Sequence, residues 1–342
     1  PARCCPDLAG CGNNKERHLR FLSSEVPLAG LKILMIGAGG IGGYYAARLA
    51  QARHELVLTA RGDHLKALKT DGLTVDYEGE ILHQTLPAFS HTELIQKHEP
   101  DNFDLIVIAL KSTATAPVMD ELSEWLENAF VPILSLQNGV DNEPVIARVV
   151  GEDRVLGGLA VRIGGHITEP GHVFAEGVAQ VVMGAWPRQR SDDPRALLLG
   201  RLEKGFSAAA IPTTVSDNIR YELWRKLVIN NGVNPLSALT GLDTRSLTHH
   251  PEFRKIVHGM MAETVAASKA DDVNLGPEDL AEMFDLISNF NAIKTSMLVD
   301  KEKGRPLELD SIAGAVLRRC ESLGIKAPYT MTVNALLAHS QG

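Results

Sequence analysis

The chain has 342 residues, enough for two domains of ordinary size and a large buried core. Apolar residues make up 44% and charged residues 22%, and the formal charge is -8, which argues against a general nucleic-acid-binding role, since that usually needs a basic face. No apolar run approaches the roughly 18 residues that span a bilayer, so no membrane partner is expected.

Residues 1–30 read as a flexible N-terminal extension and carry three of the four cysteines, Cys4, Cys5 and Cys11. The stretch lacks the continuous hydrophobic segment of a secretory signal, and a cytoplasmic location is expected. With Cys320 far away, the thiols match no zinc spacing. The histidines, including the pair His249-His250, show no ligand spacing with acids or cysteines, so no metal is expected.

From residue 31 the pattern changes. "LKILMI" is a continuous apolar run, followed by "GAGGIGG" and then by "YYAARLAQA" with helical spacing. "HELVLTAR", "FDLIVIALK" and "VPILSLQNG" are further short apolar strands, each ending in polar residues. Fully apolar strands alternating with helical stretches predict a mainly parallel, doubly wound Rossmann-type sheet covered on both faces. Residues 155–185 have short runs broken by Gly and Pro-Gly, and predict antiparallel strands that extend the sheet or cover its edge. From about residue 215 strand signals vanish and helical periodicity takes over. The predicted fold is therefore α/β, with a nucleotide-binding domain over 31–214 and an all-helical substrate and catalytic domain over 215–342.

Gly37, Gly39 and Gly42 form G-x-G-x-x-G directly after a strand and at the opening of a helix. The first glycine permits the turn, the second lets a pyrophosphate approach, and the third lets helix and strand pack closely. The turn Gly37–Gly42, including Ala38, Gly40 and Ile41, is thus a candidate dinucleotide site. At the end of the second strand an NAD site usually places Asp or Glu, whereas here "LTARGD" places Arg61. A guanidinium suits a 2′-phosphate that a carboxylate would repel, so NADP is preferred to NAD. Lys111, after "LIVIAL", is a candidate second cation.

Gln137 and Asn138 lie beyond another strand's carboxyl end, where doubly wound sheets bind ligands. In "YELWRKLVINNGVNPLSALTG", Lys226, Asn230 and Asn234 fall four residues apart on one face of an otherwise apolar helix. From the pattern alone, Lys226 also suits a snorkelling lysine, and Asn234-Pro235 the end of one helix and the start of another.

In their order, "GAGGIGGYYAARLA", "ARGDHLKALKTDGLTV", "IALKS", "LQNGV", "YELWRKLVINNGVNPLSALTG" and "TSMLVD…LELDSIAGAV" resemble the ketopantoate reductase family over nearly everything from residue 31 onward. The resemblance implies Lys226 as catalytic lysine, Asn230 and Asn234 as substrate-binding amides, Ser296 as a substrate contact and Glu308 as the family's acid. It also implies Asn138 at the junction of cofactor and substrate, and Arg61 and Lys111 as cations for the NADP phosphate. Two positions depart from the pattern, Ala313 where an asparagine is frequent and Val299 where a glutamine is frequent, and both bear on substrate choice.

The chemistry suits these residue types. Reducing a ketone leaves negative charge on oxygen, which an ammonium stabilises and protonates. A partly apolar setting would lower the pKa of Lys226, and the charge of Glu308, if near, would oppose that shift. The expected activity is NADPH-dependent reduction of a small 2-keto acid, ketopantoate first, by a monomer or homodimer. The alternatives are a reductase of another small 2-keto or 3-keto acid, or a non-catalytic NADP-binding sensor.

Overall fold

A computed structural model describes residues 30–340. The N-terminal extension, with Cys4, Cys5 and Cys11, lies outside them apart from Gly30. Twelve strands are described: β1 (Lys32–Ile36), β2 (Glu55–Thr59), β3 (Leu73–Tyr77), β4 (Glu80–Gln84), β5 (Ala88–Phe89), β6 (Leu105–Ile108), β7 (Ile133–Ser135), β8 (Val155–Val161), β9 (Gly164–Glu169), β10 (His172–Glu176), β11 (Gln180–Ala185) and β12 (Thr213–Val215).

Eight of them form one sheet in the order β12-β11-β8-β7-β6-β1-β2-β5. Every pair is parallel except β8 with β11, paired from Leu156↔Ala185 to Val161↔Gln180. Successive residues of the central strands belong to different cores: Leu34, Ile36, Ile106 and Ile108 to one, Ile33, Met35, Leu105 and Val107 to the other. That alternation is how a strand buried on both faces arises from a run with no polar residue in it.

The segment 155–185 divides between two sheets. β8 and β11 extend the main sheet, whereas β9 and β10 join β3 and β4 in a second sheet of order β4-β3-β10-β9. This sheet lies against the helix Gly40–Gln51, where a Cβ on Gly43 would stand 3.2 Å from Val173 Cγ2. Arg48 of that helix is buried beneath it, bonded through both terminal guanidinium nitrogens to Glu80 at 2.6 and 3.1 Å, with Tyr44 and Tyr77 rings stacked alongside.

Beyond β12 the described chain is helical. Its centre is Ile219–Thr240, capped by the Asn218 side chain at one end and by left-handed Gly241 at the other. The helix runs unbroken through Pro235, so Asn234-Pro235 is not a boundary. Asn231 faces the helical core, its amide donating to Thr264 Oγ1 (2.9 Å) and Thr330 Oγ1 (3.0 Å). At its start the helix meets the sheet closely: a Cβ on Gly157 would stand 3.1 Å from Ile219, and one on Gly184 2.3 Å from the Ser216 carbonyl. The core on this face of the sheet continues through Ile219, Leu223, Trp224 and Leu227 into the helices. No helix among the described residues is long and apolar enough to cross a membrane.

Candidate active site

The glycine turn is fixed by backbone packing. Gly37 has φ +99°, in the left-handed region, and its N–H donates to Thr59 Oγ1 at the end of β2 (3.2 Å). A Cβ on Gly42 would stand 2.0 Å from the Gly37 carbonyl, and one on Gly40 2.1 Å from the Gly165 backbone in β9. Gly39 differs: a Cβ there would meet nothing within 4 Å, and as N-cap of Gly40–Gln51 it offers no side-chain partner to the first-turn N–H groups. Space beside uncapped N–H groups at a helix start fits an anionic diphosphate. Ala38 is buried, while Ile41 and Gly40 are partly exposed.

Arg61 is the exposed N-cap of the helix Gly62–Thr70 and has no ion pair among the described residues. Its acidic neighbour Asp63 pairs with Lys66 instead (2.7 Å), leaving the guanidinium unopposed. Lys111 is placed otherwise. Its ammonium lies 2.6 Å from Asp300 Oδ2 and 3.3 Å from Glu308 Oε2, and a phosphate would have to compete with both carboxylates for it. Burial lowers the Lys111 pKa, but the two carboxylates outweigh it and hold the pKa above the ordinary lysine value.

Asn138 follows β7 and precedes Gly139, whose φ is +99°. Its carbonyl accepts from Asn142 Nδ2 (2.8 Å), and Asn142 Oδ1 accepts from Thr115, which in turn accepts from Gln137 Nε2 (2.8 Å). Gln137 thus supports the turn from beneath, while the partly exposed Asn138 side chain makes none of these bonds.

Lys226, Asn230 and Asn234 fall four residues apart along one face of Ile219–Thr240, to one side of Asn231. Lys226 Nζ donates to the Ala160 carbonyl in β8 at 2.7 Å. Desolvation pushes its pKa down to about 8, and the negative charge of Glu308 resists the fall. Asn234 is buried and Asn230 partly so.

Glu308 is 5% exposed and accepts at Oε1 from the Ser112 N–H (2.8 Å) and Ser112 Oγ (2.6 Å). Burial favours its neutral form, yet Lys111 and the Ser112 bonds prevail and keep its pKa below the usual glutamate value. It is therefore a fixed negative charge. A π-helical turn, Asp310–Gly314, follows and brings Ser311 Oγ within 2.6 Å of Ser112 Oγ. Ser296 is exposed at the first position of Ser296–Glu302, after the N-cap Thr295. Ala313 is fully buried and Val299 partly so.

Sequence reasoning missed Ala160, Ser112 and Asp300. Ser112 and Asp300 stood inside "IALKS" and "SMLVD", and Asp300 lies four residues after Ser296, one helical turn on. Ala160 acts through its carbonyl, for which a sequence carries no signal.

Residues 33–188 match the family model described as ketopantoate reductase PanE/ApbA, and residues 218–341 its C-terminal counterpart. A 2-dehydropantoate 2-reductase of Mesorhizobium japonicum is 30% identical over 331 residues, covering 90% of this chain and 96% of that protein. The crystal structure of a PanE/ApbA family ketopantoate reductase from Ralstonia eutropha superposes with a TM-score of 0.78 at 28% identity, covering 91% of this chain and 98% of that one. D-mandelate dehydrogenase, solved with NADH and anilino(oxo)acetate, shares the fold at 22% identity with a TM-score of 0.80, over 91% and 98% of the two chains. Two family models that together span most of the chain, and a relative aligned along nearly its whole length, carry the assignment: this chain belongs to the ketopantoate reductase family of oxidoreductases.

Proposed function

We propose that the protein reduces 2-dehydropantoate to pantoate with NADPH, with Lys226 as proton donor. The observation that carries this is Lys226 itself, a partly buried ammonium with its pKa pushed down to about 8 beside the fixed charge of Glu308. An acid with a pKa near the working pH transfers its proton efficiently. The sensor reading has no use for such a group.

A dinucleotide held at the Gly37–Gly42 turn would supply the hydride that the keto carbon receives. Lys226 stabilises the charge that develops on the keto oxygen and gives it the Nζ proton, so the product is a 2-hydroxy acid. Asn230 and Asn234, one and two helical turns further on, hold the substrate's hydroxyl and carbonyl groups with neutral donors and acceptors. Ser296 bonds the carboxylate, and Asn138 stands where cofactor and substrate meet. Gly39 and the first-turn N–H groups after it take the diphosphate. Arg61 takes the 2′-phosphate, in the place where an NAD site carries a carboxylate.

Steady-state turnover of 2-dehydropantoate and a panel of other small 2-keto and 3-keto acids, with NADPH and with NADH, tests the reading in wild type and Arg61→Ala. The expected result is highest kcat/KM for 2-dehydropantoate with NADPH, and a preference over NADH that falls roughly 10–100-fold in Arg61→Ala, the scale of one charge-assisted hydrogen bond. A better substrate elsewhere in the panel would reassign the substrate, with Ala313 and Val299 the residues to examine. Equal weakening of both cofactors would remove Arg61 from the phosphate.

A further inference from the structure

The imidazole of His64 joins three segments around the glycine turn. Its Nε2 lies 2.7 Å from the carbonyl of Ala38. Its Nδ1 accepts from the N–H of Gly171, in the turn between β9 and β10, at 3.0 Å. With a carbonyl on one side and an N–H on the other, the ring is assigned the neutral tautomer with the proton on Nε2. His64 itself belongs to the first turn of Gly62–Thr70, the helix that Arg61 caps. The third partner is firmly held too, since the Gly171 carbonyl accepts from the Thr74 N–H of β3 at 2.9 Å.

The bond to Ala38 has a directional consequence. The carbonyl of Ala38 and the N–H of Gly39 belong to one planar trans peptide and point in opposite directions. Holding the carbonyl against His64 therefore aims the Gly39 N–H the other way. That N–H has no hydrogen-bond partner among the described residues, and of the glycines in the Gly37–Gly42 turn Gly39 is the one whose Cβ would meet nothing within 4 Å. A free peptide could rotate and present its carbonyl, whose partial negative charge would repel a phosphate.

We propose that His64 is a positioning residue for the dinucleotide, locking the Ala38–Gly39 peptide so that the Gly39 N–H faces the diphosphate. The proposal rests on the reading of Gly37–Gly42 as the dinucleotide site. His64 also sets the span between that turn and Arg61, the two points proposed to grip the diphosphate and the ribose 2′-phosphate. Because it acts on the diphosphate, its removal weakens NADPH and NADH alike, unlike removal of Arg61.

The test is fluorescence titration of the full chain with NADPH and NADH, alongside steady-state kinetics, for wild type, His64→Leu, His64→Gln and His64→Asn. Loss of the ring's hydrogen bonds in His64→Leu is expected to raise both Kd values by a common factor of roughly tenfold. The KM for the keto acid and kcat at saturating cofactor stay near wild type, a split that general loosening of the fold would not give. His64→Gln, with one amide donor and one acceptor, restores most of the affinity. His64→Asn puts an acceptor near the Nδ1 position but leaves the Ala38 carbonyl unheld, so it shows the same loss as His64→Leu and carries the comparison if that variant does not fold. Affinity within twofold of wild type in His64→Leu or His64→Asn overturns the proposal, as does a loss confined to NADPH. Absence of dinucleotide binding in wild type would instead overturn the reading of the turn.

Discussion

Lys226 stands under two opposed pressures, and their balance sets a pH dependence. Desolvation removes stabilisation from the ammonium, and the Glu308 carboxylate restores part of it, leaving the pKa at about 8. A proton donor works only while protonated, so kcat/KM for keto-acid reduction, which reports the unliganded group, falls as pH rises through about 8. An ordinary lysine, with a pKa of about 10.4, would keep the rate level past pH 9. A kcat/KM profile from pH 6 to 10 decides between them, and a flat profile to pH 10 would detach the reaction from this group. The polar stripe of the helix was legible because residues four apart share a face, and Lys226, Asn230 and Asn234 have that spacing. Asn231 was not separable from Asn230 by spacing or type. Only packing assigns it to Thr264 and Thr330, in the buried contact between helices.

Among elements, the glycine turn does several jobs with one residue type, and substitutions separate them. Gly42→Ala would drive a Cβ to 2.0 Å from the Gly37 carbonyl, backbone against backbone. Overpacking of this kind costs about 1–3 kcal/mol, so urea unfolding is expected to show that loss. Gly39→Ala meets nothing within 4 Å and has φ −78°, where any residue is comfortable. It is expected to unfold within about 0.5 kcal/mol of wild type while NADPH binding weakens, because the methyl group occupies the phosphate's approach. Equal stability losses in the two variants would contradict this division. The strand–turn–helix setting of the motif was legible, but the need for Gly40 was not, since it comes from β9 more than a hundred residues away. The β3–β4 hairpin was also hidden. Its two-residue turn is Glu78-Gly79, with φ +51° and +89°, the conformation that Asn-Gly or Asp-Gly normally signals. Glu in the first place removes that signal.

At the scale of the whole molecule, the order of apolar strands and then of helical periodicity made the architecture readable, because burial on two faces and on one stripe leave different periods. The contacts that bring the sheet and the helices together were not readable. Lys111 to Asp300, Ser112 to Glu308 and Lys226 to Ala160 join residues 189, 196 and 66 positions apart. Spacing reports neighbours along one element and is silent about such pairs. These contacts join the segments that carry Lys111, Ser112 and β8 to those that carry Asp300, Glu308 and Lys226, the convergence on which the proposed meeting of hydride and proton at one carbonyl rests.

The direct measurement of that convergence is turnover of 2-dehydropantoate by Lys226→Ala, with NADPH affinity titrated on the same preparation. Loss of the proton donor alone is expected to lower kcat by about 10²–10⁴-fold while the Kd for NADPH stays within about twofold of wild type. Undiminished kcat, or loss of NADPH binding in step with kcat, would contradict the placement of the proton donor at Lys226.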